Sequence, residues 1–206
     1  MIYSKLKEVA KEIYVGLNVK NYLDKTEIDQ NDSEKKITLY IPLINISNIT
    51  EDGFFVGDFK RLKIFSQREI LKYTVKEKDV IFNSRGTALK VAIVDEERAG
   101  YLITSNMIAV SLLDEFITPE IFEFYLRSEK GFYELMKLSF SSKNSIRLTK
   151  ESVEELKVPI LNPKELVSLS GLLNDYKIIK SIAKNISADL DKMSYYIMKI
   201  LNKDEK

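Results

Sequence analysis

The sequence predicts an α+β protein: a strand-rich region with helices over residues 1–162, followed by one long helix over residues 163–206. Three observations lead there. Up to about Asp114, short runs rich in β-branched and aromatic residues are separated by Gly, Asn, Asp and Ser, the pattern of strands joined by turns. After Asp114, apolar residues recur at steps of three and four, which is the period of a helix with one buried face. From Pro163 onward that recurrence runs unbroken almost to the end of the chain.

Taken in order, "SKLKEVAKEI" has the spacing of a short amphipathic helix. The strand candidates are "KITLYIPLINI", "DGFFVGDF", "REILKYTV", "DVIFN", "LKVAIV" and "YLITSNMIAVSL". No long helical pattern falls between them, so repeated βαβ units are not expected and a compact mixed or barrel-like sheet is. "NSRGTALKV", Asn83 to Val91, lies between two of these strands. It predicts a hairpin tip, with Gly86 supplying a positive φ.

The helical part begins at "TPEIFEFYLRSEKGFYELMKL". Thr118 serves as N-cap, Pro119 takes the first helical position and Glu120 places a negative charge in the first turn. Gly131 marks a kink or break. After the polar loop "SFSSKNS", Thr149 caps a short helix in "LTKESVEEL", and "KVPIL" is a last strand. In the long terminal helix Leu169, Leu172, Tyr176, Ile179, Ala183, Ile186, Leu190, Met193, Ile197 and Ile200 make a heptad seam. A rod of about 40 residues reaches about 60 Å, more than a small sheet region covers, so the seam calls for a partner helix in another copy or another subunit.

Composition narrows the function. The chain of 206 residues carries 32 Lys+Arg against 31 Asp+Glu, a net charge of +1, so any basic surface is local. It has no Cys and no His, which removes disulfides, thiolate nucleophiles, cysteine-ligated zinc and the commonest general base. The charged N-terminus and the lack of a long apolar run argue against a signal peptide or membrane span and for a cytoplasmic protein. No metal, cofactor or catalytic constellation is evident. "NSRGTALKV" has a single glycine, neither the Walker pattern nor G-x-G-x-x-G, so a phosphate-handling enzyme is the weakest reading.

Three basic, polar clusters remain: Lys60, Arg61 and Lys63; Asn83, Ser84, Arg85, Gly86, Thr87 and Lys90; and Ser141, Ser142, Lys143, Asn144, Ser145 and Arg147. Arg, Lys and Asn are the side chains that read base edges, while Ser, Thr and Lys commonly hold phosphate oxygens. Singly, each cluster has the look of an ordinary solvated loop. Convergence in space is what would make them a DNA surface, with Arg85 informative only if its loop faces the side of Lys143 and Arg147.

The strand-rich half, "KEKDVIFNSRGTALKVAIV", "TSNMIAVSL", "ITPEIFEFYLRSEKGFYEL", "SFSSKNSIRLTKESVEELKVPIL" and the long terminal helix follow one another in an order that resembles the specificity subunit of type I restriction-modification systems. The resemblance implies that residues 1–162 form a target recognition domain for double-stranded DNA and that residues 163–206 form a spacer and dimerisation helix. It also implies a non-catalytic role beside adenine methyltransferase subunits, with a restriction subunit as a further partner. Family members usually carry two such units and this chain has one, so it is similar to half-subunits that pair as homodimers and read a bipartite palindrome. "LNPKEL" departs from the family's "P-P-L-x-E-Q" before the spacer, with a single Pro163 and Leu166 in place of glutamine. The rival from another class is a coiled-coil homodimer that binds protein, or blocks a restriction complex, without reading DNA.

Overall fold

A computed structural model describes residues 2–20, 39–64, 70–140 and 145–201. Its strands and helices are β1 (Ile2–Lys5), α1 (Leu6–Val9), β2 (Ala10–Val15), β3 (Leu39–Ile44), β4 (Lys60–Ile64), β5 (Val80–Asn83), β6 (Arg85–Gly86), β7 (Val91–Ile93), β8 (Leu102–Ile103), β9 (Met107–Leu112), α2 (Pro119–Arg127), α3 (Glu129–Lys137), β10 (Ile146–Arg147), α4 (Lys150–Glu154), β11 (Lys157–Ile160) and α5 (Pro163–Leu201). The mixed α+β class and the long terminal helix expected from the sequence are both present. Two compact units divide the chain at Leu166 and Val167, one turn into α5, whereas the change in sequence pattern falls at residue 162.

The first unit is built on a four-stranded antiparallel sheet in the order β2-β9-β5-β7. A second sheet has the order β4-β3-β8, with β3 and β8 parallel. The central strand β9 is buried on both faces from Met107 to Val110, which is why it reads as a continuous apolar run rather than an alternating one. Asp79 lies at the head of β5, buried, and accepts from the Tyr14 hydroxyl (2.7 Å), the Ser111 hydroxyl (2.5 Å) and the Lys76 amide (2.8 Å). These donors satisfy a carboxylate that would otherwise be costly to bury. Burial and the Asp79 charge push the Tyr14 phenol well above its ordinary range, so Tyr14 stays a donor.

Local structure departs from the sequence pattern at several places, one of them "YLITSNMIAVSL", which divides into β8 and β9 in different sheets. The opening amphipathic segment is a single helical turn between two strands: Leu6 and Val9 are buried, and residues 10–15 are drawn into pairing with β9. "DGFFVGDF" is not a strand, because Asn48 Nδ2 donates to the carbonyls of Val56 and Asp58 (both 3.2 Å) and takes the acceptors that a ladder would use. Within "REILKYTV", Arg68 and Glu69 lie outside the described residues, and Leu71–Tyr73 form a 3₁₀ turn closed by the Thr74 hydroxyl on the Leu71 carbonyl (2.7 Å). "KRLK", read as a basic cluster, is the body of β4.

The helical half follows its caps. Thr118 accepts from the Ile121 amide and Thr149 from the Ser152 amide. The break between α2 and α3 falls at Ser128, not Gly131. Ser128 has extended backbone, donates its hydroxyl to the Tyr125 carbonyl (2.6 Å) and accepts from the Gly131 amide (3.1 Å). Gly131 is what lets the second helix approach, since a Cβ there would run into the Tyr125 carbonyl. Finally β1 pairs with β11, from Ile2↔Ile160 to Lys5↔Lys157. Lys5 and Lys7 flank Glu155 (2.5 and 2.6 Å), and their hydrogen bonds lower its carboxyl to about 2.

Candidate nucleic-acid interface

The expected hairpin forms, with Val80↔Ile93, Ile81↔Ala92 and Phe82↔Val91 in register. Its tip is shaped by one side chain. Asn83 is 1% exposed; its Nδ2 donates to the carbonyls of Arg85 (2.9 Å) and Ala88 (3.0 Å), and its Oδ1 accepts from the Lys90 amide (2.7 Å). A single amide thereby satisfies three backbone groups. Gly86 has φ 140°, and a Cβ on it would press on Asn83 Nδ2 at 3.1 Å, so the glycine and the asparagine are matched to each other. Asn83→Ala should lower the unfolding free energy by about 2 kcal/mol, since a buried polar group left without a partner costs about 1–3 kcal/mol. Urea denaturation of the variant measures this, and an unchanged midpoint would show that the tip holds its shape without the amide.

Beyond Asn83 the chain leaves the large sheet and makes a second, small ribbon. Arg85 stands opposite Arg147 and Gly86 opposite Ile146, on β6 and β10. Ser84 anchors the ribbon from beneath: its amide donates to the Asn106 carbonyl (2.8 Å) and its carbonyl accepts from the Leu148 amide (2.9 Å). Ile146 and Leu148 are buried below it, while Arg85, Gly86, Thr87 and Arg147 are exposed. On its other side Arg147 meets residues 139 and 140, with its amide donating to the Ser139 hydroxyl (2.9 Å) and its carbonyl accepting from the Phe140 amide (3.0 Å). Phe140 is 71% exposed.

Two guanidinium groups directly across a ribbon repel, and like charges in such pairs destabilise a sheet. Neither has an ion-pair partner among the described residues. The arrangement is a positive site without a counter-charge among the described residues. Its chemistry suits phosphate oxygens or the paired acceptors of a guanine edge.

The structure brings some of the sequence candidates together and separates others. Arg85, Gly86 and Arg147 share the ribbon, and Thr87 follows it in the chain. Ser84 is 4% exposed and acts through its backbone as support. Lys90 is half-buried and donates to the Ile46 carbonyl (3.3 Å), tying the hairpin to the turn after β3. Lys60, Arg61 and Lys63 lie on β4 in the other sheet, all exposed. Strand alternation puts Arg61 and Lys63 on one face, opposite Pro42 and Tyr40, and gives Lys60 the parity of buried Leu62 and Ile64. Ser141, Ser142, Lys143 and Asn144 lie outside the described residues. Asn83, read from the sequence as one of the polar contact residues, is instead buried as the organiser of the tip, and Phe140 as an exposed neighbour was not singled out from sequence. An asparagine three residues before a glycine is a turn signal that could have exposed the first; nothing local marks the second.

In the second unit, the seam on α5 is open to solvent. Leu172, Tyr176, Ile179, Ile186, Leu190, Met193, Ile197 and Ile200 are each 50% exposed or more; Ala183 is exposed and Leu169 half-buried. Ile178, Ile182 and Tyr196 widen the apolar stripe on one side. No described helix is long and apolar enough to cross a membrane, and no group of acidic residues among those described could hold a metal ion.

Comparison with known proteins gives the family of this arrangement. An HsdS subunit from Thermoanaerobacter tengcongensis aligns with 93% of this chain at 17% identity and TM-score 0.56, over 47% of its own length. A chain from a type I R-M system, solved for its complex assembly and conformational transition, aligns with 97% at 18% identity and TM-score 0.61, over 48% of its length. The S subunit of a type I restriction-modification system from M. genitalium aligns with 99% at 12% identity and TM-score 0.58, over 46% of its length. This chain thus spans about half the length of the solved structures it matches. No curated protein matches it. Residues 3–186 match the family described as the type I restriction modification DNA specificity domain. With the strand-rich unit, the long helix and that match in agreement, the chain belongs to the type I restriction modification DNA specificity domain family.

Proposed function

We propose that this chain supplies sequence recognition to a type I restriction-modification complex. It reads one half of a bipartite double-stranded DNA target and performs no chemistry itself, leaving methylation to adenine methyltransferase subunits that dock on it. The observation that carries this reading is the Arg85–Arg147 pair: two exposed cations held opposite each other on a ribbon, without an acidic partner among the described residues. A fold has no use for that repulsion, and a polyanion does. Thr87 beside them, with Lys60, Arg61 and Lys63 on the second sheet, can add phosphate contacts that position without specifying. With a net charge of +1, much of the grip on DNA falls to the partners.

The helix supplies the other half of the target. Its exposed seam pairs with a second copy, and two identical recognition units then read an interrupted palindrome. Co-expression with the cognate methyltransferase, followed by mapping of methylated adenines, tests the whole. A bipartite palindrome is the expected result. An asymmetric target would remove the homodimer, and no methylation with an intact complex would favour a protein-binding role instead.

A further inference from the structure

We propose that Phe140 is a wedge that inserts between stacked bases at the edge of the half-site. The proposal rests on the DNA-reading role above and goes beyond it, because it assigns a distortion of the duplex to one apolar side chain. Three observations support it. Phe140 is 71% exposed, more than any other aromatic ring among the described residues. Its amide is bonded to the Arg147 carbonyl at 3.0 Å, so its backbone is locked beside the cation pair. Arg85, Arg147 and Phe140 therefore follow one another across the same ribbon edge.

The chemistry of these neighbours selects the ligand. An exposed ring alone fits any apolar surface. Next to two guanidinium groups with no ion pair among the described residues, it faces a partner that offers negative charge and an apolar stacking face within a few ångströms, and duplex DNA offers both. Proteins that grip a duplex with cations and insert Phe between base steps partly unstack them and kink the helix by about 20–90°. A backbone hydrogen-bonded to Arg147 suits that task, since it keeps the residue beside the cations before the duplex arrives.

The test uses the full chain in complex with its methyltransferase and a short duplex carrying the mapped target. 2-Aminopurine is placed at successive positions of the half-site other than the methylated adenine, and fluorescence is read on binding. The wild type should brighten one position several-fold; Phe140→Ala should lose that signal while still binding the duplex, and Phe140→Leu should restore part of it. A bound wild-type duplex with no responsive position overturns the wedge and leaves DNA reading intact. The same holds for a signal that Phe140→Ala does not change. Failure of Phe140→Ala to assemble with the methyltransferase would replace the wedge by a protein contact. Absence of any wild-type DNA binding sinks the wedge together with the reading it rests on.

Discussion

If α5 pairs with a second copy as proposed, Ile186→Glu should convert the protein into a monomer in sedimentation experiments at concentrations where the wild type sediments as a dimer. Ile186 sits in the middle of the seam and is 56% exposed in the single chain, so the substitution costs the isolated helix little; Glu is a good helix former. Pairing changes that balance. In a helix interface the new carboxylate would be buried without a partner, a penalty of about 3–5 kcal/mol, or on the order of 100-fold to 1,000-fold or more in the dissociation constant. Ala188→Glu, on the opposite side of the same helix by its spacing, should leave the dimer intact. A wild-type monomer at high concentration, or an Ile186→Glu dimer, would reject self-association through this stripe.

Arg85→Ala and Arg147→Ala each weaken target binding by about 1–3 kcal/mol if the guanidinium reads a guanine edge, roughly 5-fold to 150-fold, with relaxed preference at one position of the half-site. If the contact is to phosphate, the loss is uniform across sequences and the slope of binding against salt falls by about one. Either substitution also removes a repulsion across the ribbon, so the folded state should be unchanged or slightly more stable, by a few tenths of a kcal/mol. That opposite movement of stability and binding distinguishes a ligand-facing cation from a structural one. Equal DNA binding by both variants removes the pair from the interface.

How far the sequence could be read depended on whether a feature was made by neighbours in the chain. The hairpin around Gly86, the caps at Thr118 and Thr149, the strand in "KVPIL" and the long helix are local, and periodicity and turn chemistry reveal them. Tertiary pairing overrode the pattern elsewhere. Residues 10–15 continue a helical spacing, yet their contacts with β9 give them a strand partner worth more than a second helical turn. In "DGFFVGDF" the aromatic residues looked like strand residues, but Asn48, from an earlier turn, holds the acceptors.

The candidate interface shows the same division. Arg85 and Arg147 were each visible as basic residues in polar loops, but no periodicity records that β6 and β10 meet. Ser84 and Lys90 looked equally suited to phosphate, and burial of the one and the Ile46 contact of the other turn them inward. Phe140 gave no signal, because an aromatic residue in a sequence is by default a core residue, and its exposure belongs to the assembled fold.

If the ribbon reads DNA as proposed, the way Asn83 holds the tip bears on how such a protein changes its target over evolutionary time. The ribbon's shape is set by a buried amide, a glycine and the backbone of Ser84, together with Ile146 and Leu148 underneath. The hydrogen bonds that set it come from Asn83 and from the backbone, and not from the side chains of Arg85, Thr87 or Arg147. On the proposed DNA-reading role, exchanging them alters what the ribbon meets and leaves its scaffold in place, so a new specificity is reachable by single substitutions.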